Sequence, residues 1–520
     1  MKNHVIKEYI TELAGRGMLE KCVSVNAEAE NAEVKGLTYD SRESEPGTLF
    51  ICKGAAFKEE YLESAAEKGA ICYLSQEEYE GAAIPGIIVG DIREAMPVAA
   101  AMFYSRPWED LTVFGIGGTK GKSTSAYYMK SVIDDYLEEK GEKESAIVSS
   151  IDVYDGVESF ESHITTPEAV ELQRHMRNAL NSGMKYLEME VSSQALKYNR
   201  LDEIRLDVGI FMNVSEDHIS PIEHSSFEDY LTSKLKMFAI TDTAVVNLGS
   251  DCIDRVLEAA GASERLVTFA VGEDREADFT AYNIRKNGMG IDFTVKSSGK
   301  VGEAFNEEFS LGMPGFFNVE NALGVIAGAV SAGIPVKNIR SGLLKARSKG
   351  RMETTLSRDG KILAILDYAH NKLSFEKLYG SMKEEYPGYR IVGLFGCPGG
   401  KAFNRREELG RIAGRNSAKV YLAAEDPGKE KPGDISDQIA VYLREEGCPY
   451  EIIDDRGEAI AAAIKEAERI ASETGEKTLL LITGKGHETR QKVGTEYLPC
   501  ISDAEYIEKY IKEYDERVNS

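Results

Sequence analysis

Apolar residues along this chain fall into short runs separated by stretches of helical period. Runs of roughly 4–8 apolar residues bounded by turn residues predict buried strands, and spacings of three and four predict amphipathic helices. In the first hundred residues, strand-like runs at 48–52, 70–74 and 86–89 alternate with helical patterns at 59–68 and 93–104, which predicts a small α/β domain. Ser105-Arg106-Pro107-Trp108 ends that domain, because proline disfavours helix in the residue before it. A second segment opens with a strand over 111–116 and a helix over 123–139 and continues to 349. Its stretch 278–311 alternates with period two, as antiparallel strands do. From 350 onward, β-like runs at 362–367, 390–395, 419–424, 450–453 and 478–482 alternate with helical patterns at 375–384, 405–413, 435–446 and 459–472. That alternation predicts a mostly parallel, doubly wound sheet.

On such sheets ligands gather beyond the carboxyl ends of the strands. Those ends carry residues 367–370, 396–400, 425–427 and 484–488, all polar or glycine-rich. Composition narrows the ligands. A formal net charge of −25 repels a phosphate backbone, so no nucleic-acid partner is expected and anionic substrates must be held by local cationic or N–H-rich pockets. The 520 residues, 42% hydrophobic and 29% charged, contain no signal-like N-terminus and no run long enough to cross a bilayer. Seven scattered cysteines, never in a CxxC pair, read as reduced thiols. The expectation is a cytoplasmic monomer without a membrane partner.

The most specific local signal is Gly115-Ile116-Gly117-Gly118-Thr119-Lys120-Gly121-Lys122-Ser123-Thr124, set between the predicted strand and helix. Glycines let backbone N–H groups curl around phosphate oxygens, and the helix N-terminus adds partial positive charge. Lys122 supplies a point charge to the β- and γ-phosphates, and Ser123 or Thr124 offers a hydroxyl to Mg²⁺. Gly115 stands one residue earlier than the strict GxxxxGKS/T pattern requires. The expected fold class is therefore α/β in three domains. They are a small N-terminal domain over 1–108, a central P-loop ATPase-like domain over 109–349 and a C-terminal Rossmann-like domain over 350–520.

Gly118-Thr119-Lys120-Gly121-Lys122-Ser123-Thr124 resembles the GTNGKTT or GTNGKST loop of the Mur ligases, which join an amino acid to a UDP-linked muramoyl peptide. Further segments match in order: Asp40-Ser41-Arg42, Thr165-Thr166-Pro167, Met189-Glu190-Val191-Ser192-Ser193, Asn213-Val214-Ser215-Glu216-Asp217-His218, Gly350-Arg351-Met352-Glu353, Asp367-Tyr368-Ala369-His370 and Gly484-Lys485-Gly486-His487-Glu488. The series is similar to the MurE type, which adds the third peptide residue. The resemblance implies an ATP-dependent ligase of cytoplasmic peptidoglycan precursor synthesis that phosphorylates a carboxylate and lets an amine displace the phosphate. Gly118 to Thr124, with Asn318, Asn321, Arg351 and Asp367, would contact ATP; Lys122, Glu190, His218 and Lys234 would form the catalytic set. Ser123 and Glu190 would hold one Mg²⁺ and His218 a second, with Lys234 carried as a CO₂-derived carbamate, an anion suited to the metals. Ser41, at the uridine end, with Thr165, Thr166, Ser192 and Arg200, would bind UDP-MurNAc-L-Ala-D-Glu. On the residues alone, Lys234 also reads as a solvated helix lysine and the His218–Asp217 pair as a structural hydrogen bond. Asn318 and Asn321 also read as helix caps, and Arg351 as a surface ion pair.

Several positions depart from the family pattern. Lys120 replaces an asparagine, Gln194 replaces a histidine, and Ala55-Ala56-Phe57 stands where uridine contacts are expected. In the amine pocket, Lys401, Glu425, Asp426, Pro427, Gly428, Gly484 and Glu488 would receive the amino acid. Family members that take meso-diaminopimelate carry DNPR there, and here Gly428 replaces the arginine that pairs with the extra carboxylate. Acidic Glu425 and Asp426 suit a terminal ammonium, which favours L-lysine. The alternatives are meso-diaminopimelate or another amino acid, a folylpolyglutamate- or cyanophycin-type ligase, and a non-catalytic nucleotide-binding scaffold.

Overall fold

The computed structural model describes residues 4–518 apart from 55, 163 and 216–222. Its contacts divide the chain into two compact units. One runs to Thr280 and takes in Lys296–Asn306 and Leu323–Gly342. The other comprises Ala281–Val295, Glu307–Ala322 and the chain from Leu343 onward.

The first unit holds two sheets. In the smaller one, Leu19–Val23, Gly86–Val89, Cys72–Ser75, Thr48–Ile51 and Gly36–Thr38 lie side by side in that order, parallel except for the first pair. Leu49 and Ile51 pack with Ile6, Tyr9 and Leu13 of the helix Ile6–Gly15, and Phe50 packs with Leu62 and Ala65 of the helix Glu59–Glu67. A strand covered on both faces needs an unbroken apolar run, which is what 49–51 supplies.

The larger sheet has the order Arg265–Val271, Thr241–Asn247, Leu206–Phe211, Thr112–Gly117, Tyr186–Val191, Ala146–Val148, Asp152–Tyr154 and Ser159–Glu161. It is parallel as far as Ala146–Val148 and ends in two antiparallel steps. Thr112–Gly117 is central, between Tyr186–Val191 and Leu206–Phe211, and leads through the glycine loop into the helix Lys122–Lys140. The strands Phe279–Asn287, Gly290–Ser297 and Asn306–Leu311 are successive neighbours, and the first alternates between buried and exposed side chains as predicted.

The second unit is built on the order Glu353–Leu356, Ile362–Asp367, Lys477–Thr483, Tyr389–Phe395, Lys419–Leu422 and Tyr450–Ile452. The five expected strands are parallel, and Glu353–Leu356 adds an antiparallel edge that the apolar runs did not announce. Ile460 and Ile464 of the helix Arg456–Thr474 and Ile507 and Ile511 of Asp503–Val518 cover the face carrying Val392 and Leu394. Phe375 and Tyr379 of the helix Lys372–Glu385 meet Phe395 and Gly393, one step away in the pleat and so on the other face. The exposed hairpin Arg490–Val493 and Glu496–Pro499 was not predicted. All seven cysteines are free. Among the described residues no helix is long and apolar enough to cross a membrane.

Candidate active site

In the first unit, sheet register delivers the chemistry to one place. Glu190 pairs with Ile116, so its strand brings a carboxylate beside the start of the glycine loop. Gly118 has φ +151°, and a Cβ there would lie 3.0 Å from Met212 Cβ, so this turn needs glycine. Asn213 braces the loop twice: Lys120 N–H donates to its Oδ1 at 2.9 Å, and its Nδ2 donates to Lys120 O at 3.1 Å. Thr119 Oγ1 lies 3.0 Å from Tyr230 OH. The Lys122 ammonium folds back over the loop and donates to Gly118 O at 3.0 Å and to Thr119 O at 3.3 Å.

Next to the loop, Ser150 donates to Glu190 Oε1 through both its N–H, at 2.8 Å, and its hydroxyl, at 2.9 Å. Ser123 Oγ lies 3.0 Å from Ser150 Oγ. Because the Ser150 proton goes to the carboxylate, Ser123 is the donor of that pair, which leaves the Ser123 lone pairs as acceptors. A hydroxyl with free lone pairs beside a buried carboxylate is a hard-oxygen donor set that fits Mg²⁺. Ser150 was not singled out from sequence. The only available signal was a pair of serines just after the apolar run 146–148, at the carboxyl end of a strand.

A cavity of about 250 Å³ gathers Lys122, Thr165, Ser192, Arg200 and Lys234, all expected site residues. Sequence reasoning missed Glu223, His224 and Tyr230, which line it too. Lys234, on the helix Phe227–Leu235, is only 3% exposed with its ammonium 4.8 Å from the Tyr230 ring centre, so the solvated-lysine reading is corrected. Arg200 Nη1 donates to Thr166 O at 2.9 Å and Nη2 pairs with Glu168 at 2.7 Å, while its Nε is buried without a hydrogen-bond partner. Thr166 Oγ1 donates to Glu190 O at 2.8 Å and accepts from Ser192 N–H at 3.0 Å, so it ties the strand end at Glu190 to the cavity wall. His224 Nε2 lies 3.0 Å from Ser193 Oγ, and burial pushes its imidazole below the usual range despite Asp229 nearby. His218 lies outside the described residues. Ser41 lines neither this cavity nor the next; its carbonyl accepts from Lys68 Nζ at 2.8 Å.

The second unit carries the remaining expected residues. Asp367 receives Met352 N–H at 3.0 Å and Ala369 N–H at 2.8 Å; burial pushes its carboxyl up while Arg351 pulls it down. Arg351 lies over the Tyr368 ring, 5.1 Å from its centre, with a buried Nε lacking a hydrogen-bond partner, which is not a surface ion pair. Asn318 Nδ2 donates to Pro314 O at 2.8 Å, and Asn321 Nδ2 donates to Asn318 Oδ1 at 3.0 Å.

A second cavity, of about 360 Å³, lies at the strand ends and is lined by Pro427, Gly428 and Glu488 from the expected set. Lys485 joins its loops: the ammonium donates to Asp426 at 2.9 Å, Glu488 at 2.6 Å and Arg490 O at 2.7 Å. Gly428 has φ +59°, and its N–H donates to Lys492 O while its carbonyl accepts from Gly494 N–H, which zips this loop to the hairpin. The lining residues missed by sequence include Arg456, Asp454 and Asp455. Arg456 is neutralised by Asp503, with two contacts at 2.7 Å. With Lys485 and Arg456 both paired, Asp454 and Asp455 leave the cavity acidic. Glu425 sits behind the wall. Burial pushes its carboxyl up to about 7 against the pull of Arg456 and Lys485, and a Cβ at Gly484 would fall 2.3 Å from its Oε2. Lys401 is exposed and does not line this cavity.

Residues 116–329 match the Mur ligase middle domain, and residues 350–486 match the Mur ligase glutamate ligase domain. The chain is 36% identical over 482 residues to an Enterococcus faecalis UDP-N-acetylmuramoyl-L-alanyl-D-glutamate--L-lysine ligase, covering 92% of each protein. It is 34% identical over 498 residues to a Lactobacillus delbrueckii UDP-N-acetylmuramyl-tripeptide synthetase, covering 93% of this chain and 94% of that protein. The solved structure of a UDP-N-acetylmuramoyl-L-alanyl-D-glutamate--2,6-diaminopimelate ligase superposes with a TM-score of 0.67 at 22% identity, over 99% of both chains, and shows the shared three-domain α/β architecture. With this much of its length matched and its phosphate loop, Glu190 and Lys234 gathered in one unit, the chain belongs to the Mur ligase family of ATP-dependent ligases.

Proposed function

We propose that this enzyme adds L-lysine to the D-glutamyl carboxylate of UDP-MurNAc-L-Ala-D-Glu, with ATP converted to ADP and phosphate, as a step of peptidoglycan precursor synthesis. The observation that carries the reading is the cavity where Lys122, Lys234 and Arg200 converge next to the Ser123–Ser150–Glu190 chain. Two anions, ATP and a carboxylate, must meet there, and cationic side chains lower their repulsion. The acceptor carboxylate oxygen attacks the γ-phosphorus and ADP leaves. The amine, arriving neutral, then attacks the acyl carbon, phosphate leaves with the C–O bonding pair, and the nitrogen gives up its extra proton to solvent. Lys122 holds the phosphates, while Thr165, Ser192 and Arg200 orient the acceptor. Ser123 and Glu190 would hold Mg²⁺, with His218 at a second ion; bound there, the metal neutralises phosphate charge. Lys234 is buried and lines the same cavity as Lys122 and Arg200, and carbamylation by CO₂ would turn it into a carboxylate-like anion. The acidic cavity at Gly428 supports an amine with a terminal ammonium, as in the Enterococcus relative named for lysine.

The test is purified protein with ATP, Mg²⁺, UDP-MurNAc-L-Ala-D-Glu and a panel of amino acids, following phosphate release and product mass. Release with lysine in preference to diaminopimelate is expected. Preference for diaminopimelate would overturn the amine assignment, and no release with any amine would overturn the reaction.

A further inference from the structure

The helix Lys372–Glu385 ends on a glutamate whose side chain has no solvent exposure. Its Oε2 accepts from Gly315 N–H at 2.9 Å and from the Lys286 ammonium at 2.9 Å. Its Oε1 accepts from Phe316 N–H at 2.8 Å and from the Ser381 hydroxyl at 2.6 Å. Phe316 N–H lies 2.9 Å from Ser381 Oγ as well. Two consecutive loop amides, a hydroxyl and an ammonium thus converge on one buried carboxylate. Only an ionised carboxylate accepts from all of them, because glutamine would turn an N–H toward donors.

What the carboxylate holds leads directly to Asn318 and Asn321. Gly315 O accepts from Asn318 N–H at 2.7 Å, and Phe316 O accepts from Val319 N–H at 3.1 Å, so the loop forms the first turn of the helix Asn318–Ser331. Asn318 is tied back to Pro314 O, and Asn321 is tied to Asn318. We propose that Glu385, with Ser381, is the positioning residue for the Asn318–Asn321 pair and sets nucleotide affinity without touching the nucleotide. This rests on the reading of those asparagines as ATP contacts.

The experiment titrates the full-length enzyme with a fluorescent ADP analogue and measures KM for ATP, acceptor and amine in Glu385→Gln, Ser381→Ala and Asn321→Ala. Glu385→Gln is expected to weaken nucleotide binding about tenfold, because all four donors lose their charged acceptor, and Ser381→Ala about threefold, because the carboxylate keeps its three other donors. KM for acceptor and amine should stay within about twofold, since nothing in those pockets changes. A purely structural role would lower the active fraction and kcat and leave nucleotide affinity unchanged. If Glu385→Gln fails to fold, Ser381→Ala carries the test. Weakened binding in Asn321→Ala, with normal binding in Glu385→Gln and Ser381→Ala, would overturn the positioning role alone. Normal binding in Asn321→Ala would overturn the asparagine assignment itself.

Discussion

Replacing Ser150 with alanine tests the metal reading at a residue that touches neither ATP nor acceptor in the proposed scheme. The substitution removes the hydroxyl that donates to Glu190 Oε1 at 2.9 Å and receives Ser123 at 3.0 Å, and keeps the N–H bond to Glu190 at 2.8 Å. Hydrogen bonds to charged groups contribute about 1.5–3 kcal/mol, and one of the two bonds lost is of that kind. If about 2 kcal/mol of it acts on the orientation of Ser123 and Glu190, the Mg²⁺ concentration for half-maximal rate should rise roughly 10–50-fold, within the range seen when outer partners of metal ligands are removed. The assay is phosphate release against free Mg²⁺ at saturating ATP and acceptor, with thermal unfolding as a control. The maximal rate at high Mg²⁺ should largely recover. An unchanged Mg²⁺ dependence in a folded Ser150→Ala protein would refute the orientation argument, and a loss of rate that Mg²⁺ cannot restore would assign Ser150 to another role.

Lys234→Ala should abolish turnover without rescue by excess bicarbonate, because the carbamate needs the lysine nitrogen; near-normal activity would remove Lys234 from the metal site. For Glu425, burial raises the folded-state carboxyl to about 7 from the ordinary 4.5. A raised pKa contributes stability that is complete below the unfolded value and is lost as pH rises through the folded one, so about 3 kcal/mol disappears between roughly pH 4.5 and 7. Glu425→Gln should therefore gain on the parent as pH rises from 5 to 8 in denaturant titrations, and an equal difference at both pH values would contradict this. Gly484→Ala should lower the unfolding temperature and raise KM for lysine, since the new Cβ meets Glu425 Oε2 at 2.3 Å and the backbone at φ +106° is strained for alanine wherever Glu425 moves; a neutral result would contradict both the contact and the strain.

The readable features were those encoded within a few neighbouring residues. The run 362–367 is a strand with the predicted bounds because its apolar residues are buried on both faces. The glycine loop declared itself because backbone curvature and a following helix need glycine and lysine at fixed spacing. The composition of the 425–428 loop already carried the absence of an arginine for a second carboxylate. Edge elements such as Glu353–Leu356 and the hairpin Arg490–Val493 were hidden, because half-exposed strands lack a continuous apolar run.

Folding decided what lies far apart in the chain. Ser150 meets Glu190 across 40 residues, and Lys485 meets Asp426 across 59. No local period records such pairs, since they arise from strand register and loop convergence. Nor did spacing along the helix Phe227–Leu235 distinguish a solvated Lys234 from a buried one, because burial depends on what the rest of the sheet packs against it. The sequence by itself determined the α/β class, the grip on phosphate and the missing arginine. The tertiary structure alone determined which polar groups face each other in low dielectric, and there their charges and hydrogen bonds acquire chemical consequence.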